Sequence, residues 1–260
     1  MIRVLVYAYR DWSFLNLAPV LDSPQVEATR WWREQGPMPD VGQFDVVVTC
    51  EPHIAGWRRT WPEVMGKLPV LAMQQSLYYD REVNPNAAWP FERFMLWGRQ
   101  QYDVCRNHEV REGRLIITGN PRFDGLWGLK TWDDGYTLIL GSGGETIDAY
   151  PDRKQWGECV FQGHPNMTGN KLLGDTVELI KGAKRVVFRE TGAGIIAMIL
   201  NKPVWIEPVR PGQERKYMPC PLYGDGVFGG PEEYGDYRTW AVGTGSGATE
   251  RVLEVLQHYG

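Results

Sequence analysis

Cysteine is scarce in this 260-residue chain. Cys50, Cys105, Cys159 and Cys220 lie far apart and form no C-x-x-C pair, so they read as free thiols of a cytoplasmic protein, not as a disulfide framework. No two cysteines stand at C-x2-4-C spacing and no two histidines at H-x3-5-H spacing, which argues against zinc. No run of about 18 apolar residues exists, so no segment reads as a membrane span. Met1-Ile2-Arg3-Val4-Leu5-Val6 reads as a first strand and lacks the apolar region and cleavage site of a signal peptide. There is no Walker sequence. No D-x-D pair occurs either, so the sequence requires no divalent metal. Neither Ser142 nor Ser246 lies in G-x-S-x-G, because Leu140 and Thr244 occupy the first glycine position, and this disfavours a serine hydrolase. No repeat of about 20 to 50 residues and no low-complexity tract is visible. The net charge is −4, so the molecule as a whole does not advertise a polyanionic partner.

What is present suits a globular protein with a real core: 43% hydrophobic and 23% charged residues. The length fits one large domain or two small ones. Short apolar runs recur at 3–8, 44–49, 69–73, 93–97 and 115–118, then at 136–140, 158–162, 185–188 and 203–207. Several are continuously apolar, as strands covered on both faces are. They alternate with helix-length segments, clearest at Gly192 to Leu200, then Asp175 to Gly182 and about Thr249 to Tyr259. The alternation predicts an α/β fold with parallel sheets. Residues 211–247 are rich in Gly, Pro and Tyr and show no clear periodicity, so they read as a long irregular stretch. Near the middle, Leu115-Ile116-Ile117 runs into Thr118-Gly119-Asn120-Pro121-Arg122-Phe123-Asp124 and a charged connector. This reads as a hinge, 119–135, between an N-terminal domain, 1–118, and a C-terminal domain, 136–247, with the ligand in the cleft between them and a separate last helix at 248–260.

Ligands of open parallel sheets bind beyond the carboxyl ends of the strands. In the first half that rule selects Tyr9, Arg10 and Asp11, then Glu51 and His53, then Gln74, Gln75 and Ser76, then Gly98 and Arg99. In the second half it selects Gly141, Ser142, Gly143 and Gly144, then His164, then Arg189, Glu190 and Thr191, then Glu207 and Arg210. The glycines of 141–144 would let backbone N–H groups approach phosphate oxygens, although a plain tight turn has the same appearance. His164 could hydrogen-bond a phosphate or serve its loop. Arg189-Glu190-Thr191-Gly192-Ala193-Gly194 ends a strand and opens the best helix, whose free N–H groups suit an anion; Thr191 could also be a plain cap. Twelve tryptophans are unusually many, and seven precede Gly98. Arg30-Trp31-Trp32-Arg33 and Trp57-Arg58-Arg59-Thr60-Trp61 interleave aromatics with arginines. That chemistry suits stacking on bases or sugars, or else core tryptophan beside solvated arginine.

Together these pieces resemble the GT-B superfamily, in particular UDP-N-acetylglucosamine 2-epimerases and CDP-glycerol glycerophosphotransferases. The resemblance rests on Leu71-Ala72-Met73-Gln74-Gln75-Ser76, Leu96-Trp97-Gly98 and Ile117-Thr118-Gly119-Asn120-Pro121-Arg122-Phe123-Asp124 in the first half. In the second half it rests on Gly163-His164-Pro165, Glu190-Thr191-Gly192-Ala193-Gly194 and Asn201-Lys202-Pro203-Val204. It covers about residues 68–208. It implies two Rossmann-like domains with parallel sheets facing an interdomain cleft, the donor nucleotide on the C-terminal one, and a last helix that crosses back to the first. Two departures stand out: Gln75 and Ser76 replace a His-Gly pair, and Ile195 and Ile196 stand where epimerases carry glutamates, one of them a ribose ligand.

The resemblance, so modified, implies a metal-independent glycosyltransferase whose co-substrate is a nucleotide sugar, a UDP-sugar first. Gly141, Ser142, Gly143, Gly144, His164, Arg189, Glu190, Thr191, Gly192 and Gly194 would hold the donor and its leaving diphosphate. Asp11, Glu51 and His53 are the candidate catalytic residues, and Gln75, Asn120, Arg122 and Asp124 the cleft and hinge residues. The acceptor is a glycan, a lipid, a small molecule, or a hydroxymethylated base in DNA as in the bacteriophage DNA glucosyltransferases, in which case the protein works in host cytoplasm. The alternatives are a glycerophosphotransferase, an epimerase, or a nucleotide-binding module without chemistry.

Overall fold

The computed structural model describes residues 1–8, 11–32, 35–50, 64, 66–74, 91–107, 111–141, 145–163, 173–189, 192–207, 228–243 and 245–260. The chain forms two compact units, Met1–Gly125 with Trp240–Gly260, and Leu126–Thr239. No helix among the described residues is long and apolar enough to cross a membrane.

The first unit is built on a six-stranded parallel sheet in the order β2-β1-β3-β4-β5-β6. Its strands are β1 (Ile2–Ala8), β2 (Val26–Trp32), β3 (Val46–Thr49), β4 (Val70–Met73), β5 (Arg93–Leu96) and β6 (Leu115–Ile117). Val46-Val47-Val48-Thr49 is buried at every residue, because a central parallel strand is covered on both faces and needs no polar alternation. A 3-10 helix, Asp11–Leu17, runs into the one-turn helix α1 (Ala18–Leu21), and α2 (Arg99–Asn107) follows β5.

Every strand read from the sequence forms, and β2 is additional. For Arg30-Trp31-Trp32 it selects core tryptophan beside solvated arginine over a stacking platform. Trp31 is buried on β2 with its ring 5.2 Å from that of Tyr7 on β1, and Trp32 meets Phe14 edge-on. The strand is an edge, so Glu27 and Arg30 can face water, and its polarity hid it.

The second unit carries a four-stranded parallel sheet in the order β10-β9-β7-β8. The strands are β7 (Thr137–Leu140), β8 (Cys159–Gln162), β9 (Arg185–Phe188) and β10 (Val204–Ile206). Helices α3 (Leu173–Gly182) and α4 (Gly192–Ile199) supply its helical layer. Ile139, Val187, Phe161 and Trp205 point to the other face, where the 3-10 turns of 147–155 and an aromatic group cover them. In that group Trp156 stands edge-on to Trp205 at 4.8 Å, and Phe228 edge-on to both.

Lys202 is a staple of this unit. Its Nζ donates to the carbonyls of Trp132 and Ala183 at 2.6 Å, and its own carbonyl accepts from the Tyr234 hydroxyl at 2.9 Å. Asn201 turns the chain out of α4 at φ +56°, a left-handed position that asparagine tolerates. Tyr234 belongs to α5 (Pro231–Val242), which forms inside the stretch expected to be irregular. Pro231 and Glu232-Glu233 are good helix-start residues, and Glu233 accepts from Gly230 N at 2.7 Å. The buried stripe of α5 is Tyr234, Tyr237 and Ala241, which spacing but not apolarity could have betrayed.

The last helix, α6 (Ala248–Gln257), belongs to the first unit. Its N-cap is Gly247, which has no side chain to offer the first N–H groups. Asp124 supplies them instead: Oδ1 accepts from Ala248 N at 2.9 Å, and Oδ2 from Thr249 N at 2.7 Å and Thr249 Oγ1 at 2.6 Å. Arg251 Nε donates to the Thr118 carbonyl at 2.7 Å. Gly119, at φ +82°, lets α6 approach, since a Cβ there would sit 2.9 Å from that of Ala248. Gly98 does the same for the end of α5, where a Cβ would stand 2.5 Å from the Ala241 carbonyl oxygen. The segment after β6 is thus bonded into the first unit, and the units divide after Gly125 and again between Thr239 and Trp240. Replacing Asp124 with alanine removes the cap and lowers stability by about 1–2 kcal/mol, read as a lower urea midpoint; an unchanged midpoint would show that water caps α6 equally well.

Candidate functional site

In both sheets the strand order reverses beside the first strand. β1 lies between β2 and β3, and β7 between β8 and β9. Chains leaving β1 and β3, or β7 and β9, therefore flank the point where an open parallel sheet accepts ligands. Asp11 opens the 3-10 helix after β1, and Cys50 follows β3. Gly141 follows β7, Arg189 follows β9, and Gly192 opens α4. The Asp11 side chain and Glu51, His53, Gln75, Ser142, Gly143, Gly144, His164, Glu190 and Thr191 lie outside the described residues.

Two of the expected phosphate-binding glycines have a packing reason. A Cβ on Gly141 would stand 2.7 Å from the Phe161 ring, and one on Gly194 would collide with the buried ring of Phe188. Ile195 and Ile196, the positions where the resemblance expects glutamates, are buried on α4 among the apolar core. Apolar residues belong there, because a carboxylate would lose its hydration without a partner.

Arg189 does not stand free at the end of β9. Its guanidinium bonds Glu145 Oε1 at 3.0 Å, Glu207 Oε1 at 3.0 Å and the Ala149 carbonyl at 2.8 Å, and it lies 4.4 Å over the Tyr150 ring. Tyr150 in turn donates its hydroxyl to Glu145 Oε2 at 2.8 Å. The three charged side chains are only 13–20% exposed, so solvent screens them weakly. Burial pushes the Glu207 carboxyl above its ordinary value even though Arg189 pulls it down. Burial opposes the Arg189 charge, but the hydrogen bonds to Glu207 and Glu145 outweigh it and hold the guanidinium above its ordinary value. Burial, then the bond to Glu145, pushes the Tyr150 phenol up. Glu207 Oε2 and Arg189 Nε are enclosed without a partner. Sequence reasoning reached Arg189 and Glu207 through their strand ends but missed Glu145, which lies one residue beyond the glycine turn. Tyr150, in the 3-10 cover, carried no signal.

In the first unit, the Gln74 carboxamide is buried and accepts from Trp97 N at 2.8 Å, tying the end of β4 to the end of β5. Asn120 is buried after β6, with Nδ2 on Asn16 Oδ1 at 3.3 Å and Oδ1 accepting from Arg122 N at 3.0 Å. Asp124, expected at a cleft, is engaged as the cap of α6.

No protein-family model matches the chain, and no curated protein matches it in sequence. Solved structures do. The UDP-GlcNAc 2-epimerase of Methanocaldococcus jannaschii in complex with UDP-GlcNAc and UDP superposes with a TM-score of 0.61 at 13% identity, covering 98% of this chain and 99% of that one. The S. aureus MnaA–UDP structure gives 0.61 at 10% identity, covering 100% and 97%. The wall teichoic acid polymerase TagF, soaked with CDPG, gives 0.56 at 10% identity, covering 99% and 88%. The fold is GT-B-like. At such identities the likeness establishes that fold and nothing finer.

Within this GT-B-like chain, Arg189 forms ion pairs with both Glu145 and Glu207. Arg189→Met removes the guanidinium from two enclosed carboxylates and destabilises by about 3 kcal/mol near pH 8. Without the guanidinium the Glu207 carboxyl rises further above its unfolded value. It then binds a proton in the folded state as pH falls, so the loss shrinks toward pH 5. Urea midpoints of wild type and variant at both pH values check this; an equal gap at the two would contradict it.

Proposed function

We propose that this chain is a glycosyltransferase that binds a nucleotide sugar on its second unit and passes the sugar to an acceptor hydroxyl. The observation that carries the reading is the strand order β10-β9-β7-β8, in which Gly141 leaves β7 and Arg189 leaves β9 beside the point of reversal; this supports the expectation that a glycine-rich turn and the start of α4 hold the donor. Breaking the anomeric bond leaves negative charge on a diphosphate, and backbone N–H groups at such a turn and at the start of α4 suit it. In this reading His164 and Thr191 add donors, and no metal is required. Arg189 is tied to two carboxylates, so its role is to fix Glu145 and Glu207. Glu207 Oε2 has no partner and fits the hydroxyls of a ribose, as Ile195 and Ile196 cannot. Asp11 and Glu51, which follow β1 and β3, are the favoured acceptor bases, with His53 the third candidate.

The solved neighbours favour a second reading about equally. They are UDP-GlcNAc 2-epimerases and a wall teichoic acid polymerase, so epimerase or glycerophosphotransferase chemistry suits the same fold. Incubation with UDP-sugars and with CDP-glycerol, followed by product analysis, separates the readings. A third, a nucleotide-binding module, predicts stabilisation by nucleotides with no product in any assay. A hydroxymethylated base in DNA is the most specific acceptor within the first reading. A gel shift with duplex DNA that weakens steeply with salt supports it, and no shift at low salt rejects it.

UDP or a UDP-sugar should raise the unfolding temperature of the wild type. Asp11→Asn or Glu51→Gln should lower kcat at least about tenfold while that stabilisation persists. Unchanged kcat in both variants would remove the two bases from the mechanism.

A further inference from the structure

Arg122 follows β6 in the first unit and is partly buried. Its Nε is fully enclosed and meets no acceptor. Among the described residues no carboxylate pairs with it. Burial alone pushes its guanidinium below the ordinary value, with no neighbouring charge acting on it. The polar groups beside it in sequence are already engaged. Asn120 Oδ1 accepts from the backbone N of Arg122, and Asn120 Nδ2 donates to Asn16. Both oxygens of Asp124 serve the first turn of α6. A second guanidinium, Arg251, lies against Gly119, where a Cβ would be 3.1 Å from its NH2, and it donates to the carbonyls of Thr118 and Ser246. Asp124 and Arg251 are thus committed to α6 and to the backbone of the turn, and neither answers Arg122.

The Nε is an enclosed donor without an acceptor, a cost to the fold that removing the guanidinium would relieve. We propose that Arg122 is an anion-receiving residue of the first unit, and that a phosphate or diphosphate oxyanion completes it. A guanidinium presents a planar fork that takes two oxygens of one phosphate, a geometry that an ammonium cannot reproduce. Two sources share this chemistry: the diphosphate of a nucleotide, and a phosphate carried by the acceptor.

Thermal unfolding of the wild-type chain, Arg122→Met and Arg122→Lys with inorganic pyrophosphate, inorganic phosphate and UDP tests the assignment. Pyrophosphate should raise the wild-type Tm, and its apparent Kd should weaken at least about tenfold in Arg122→Met and severalfold in Arg122→Lys. Without any anion, Arg122→Met should unfold at the wild-type temperature or above it. Loss of the UDP shift in Arg122→Met would mark the nucleotide as the source. A UDP shift that persists while the pyrophosphate shift is lost would mark the acceptor. The assignment is overturned by an equal pyrophosphate shift in Arg122→Met and wild type, by no shift of the wild type with any of the three anions, or by a lower anion-free Tm in Arg122→Met. Should Arg122→Met fail to fold, the lysine variant decides, and a pyrophosphate Kd equal to wild type overturns the assignment. The readout is binding of an inorganic anion, so it is independent of whether the chain turns over a nucleotide sugar.

Discussion

The carboxylate of Asp124 on the first turn of α6 closes the first unit from both ends of the chain. That unit is discontinuous in sequence, with the whole of the second unit lying between its parts. Closing so long a loop costs entropy that grows only slowly with length, but something must repay it at the junction. Three hydrogen bonds from one side chain do so, at a helix whose own N-cap is a glycine. The same junction explains the Thr118-Gly119-Asn120-Pro121 segment: Gly119 lacks a side chain because Ala248 lies there, and the Thr118 carbonyl receives Arg251.

The two units treat their enclosed arginines in opposite ways. Arg189 is answered by two carboxylates and a carbonyl, and even so Glu207 remains above its ordinary value because burial outweighs the attraction. Arg122 meets no carboxylate among the described residues, and its Nε is enclosed without an acceptor, so burial alone acts on its charge.

Much of the sheet architecture was legible because buried parallel strands are short, apolar and β-branched, as in Val46-Val47-Val48-Thr49 and Thr137-Leu138-Ile139-Leu140. The exceptions have physical causes. β2 is an edge strand with Glu27, Thr29 and Arg30 exposed or half-exposed, so its apolar pattern is broken. α5 packs through tyrosines, and its stripe carries polar atoms. The site was legible only to the level of strand ends. The rule that ligands lie past carboxyl ends found Arg189 and Glu207, but not that they hold each other, since the pairing also involves Glu145 and Tyr150, which flank the 3-10 turn Ile147–Ala149 and follow no periodicity. That Asp124 caps α6 was illegible in the same way, because its partners are 124 and 125 residues distant.

The surplus of tryptophan also takes on a different meaning. Among the described residues, one face of the second sheet is covered by 3-10 turns and an aromatic group. Such turns bring few side chains per length of chain, so each must bury much. A tryptophan buries roughly 150–250 Å² and can still orient edge-on to its neighbours, as Trp156, Trp205 and Phe228 do. The substitution has a polar cost, since Trp205 Nε1 is enclosed without a partner. Arg185 stacks 4.3 Å over Phe228 and bonds Thr137 and the Trp156 carbonyl. Its charge therefore braces the aromatic layer from the side. Where they are described, Arg–aromatic pairings in the second unit are thus architecture.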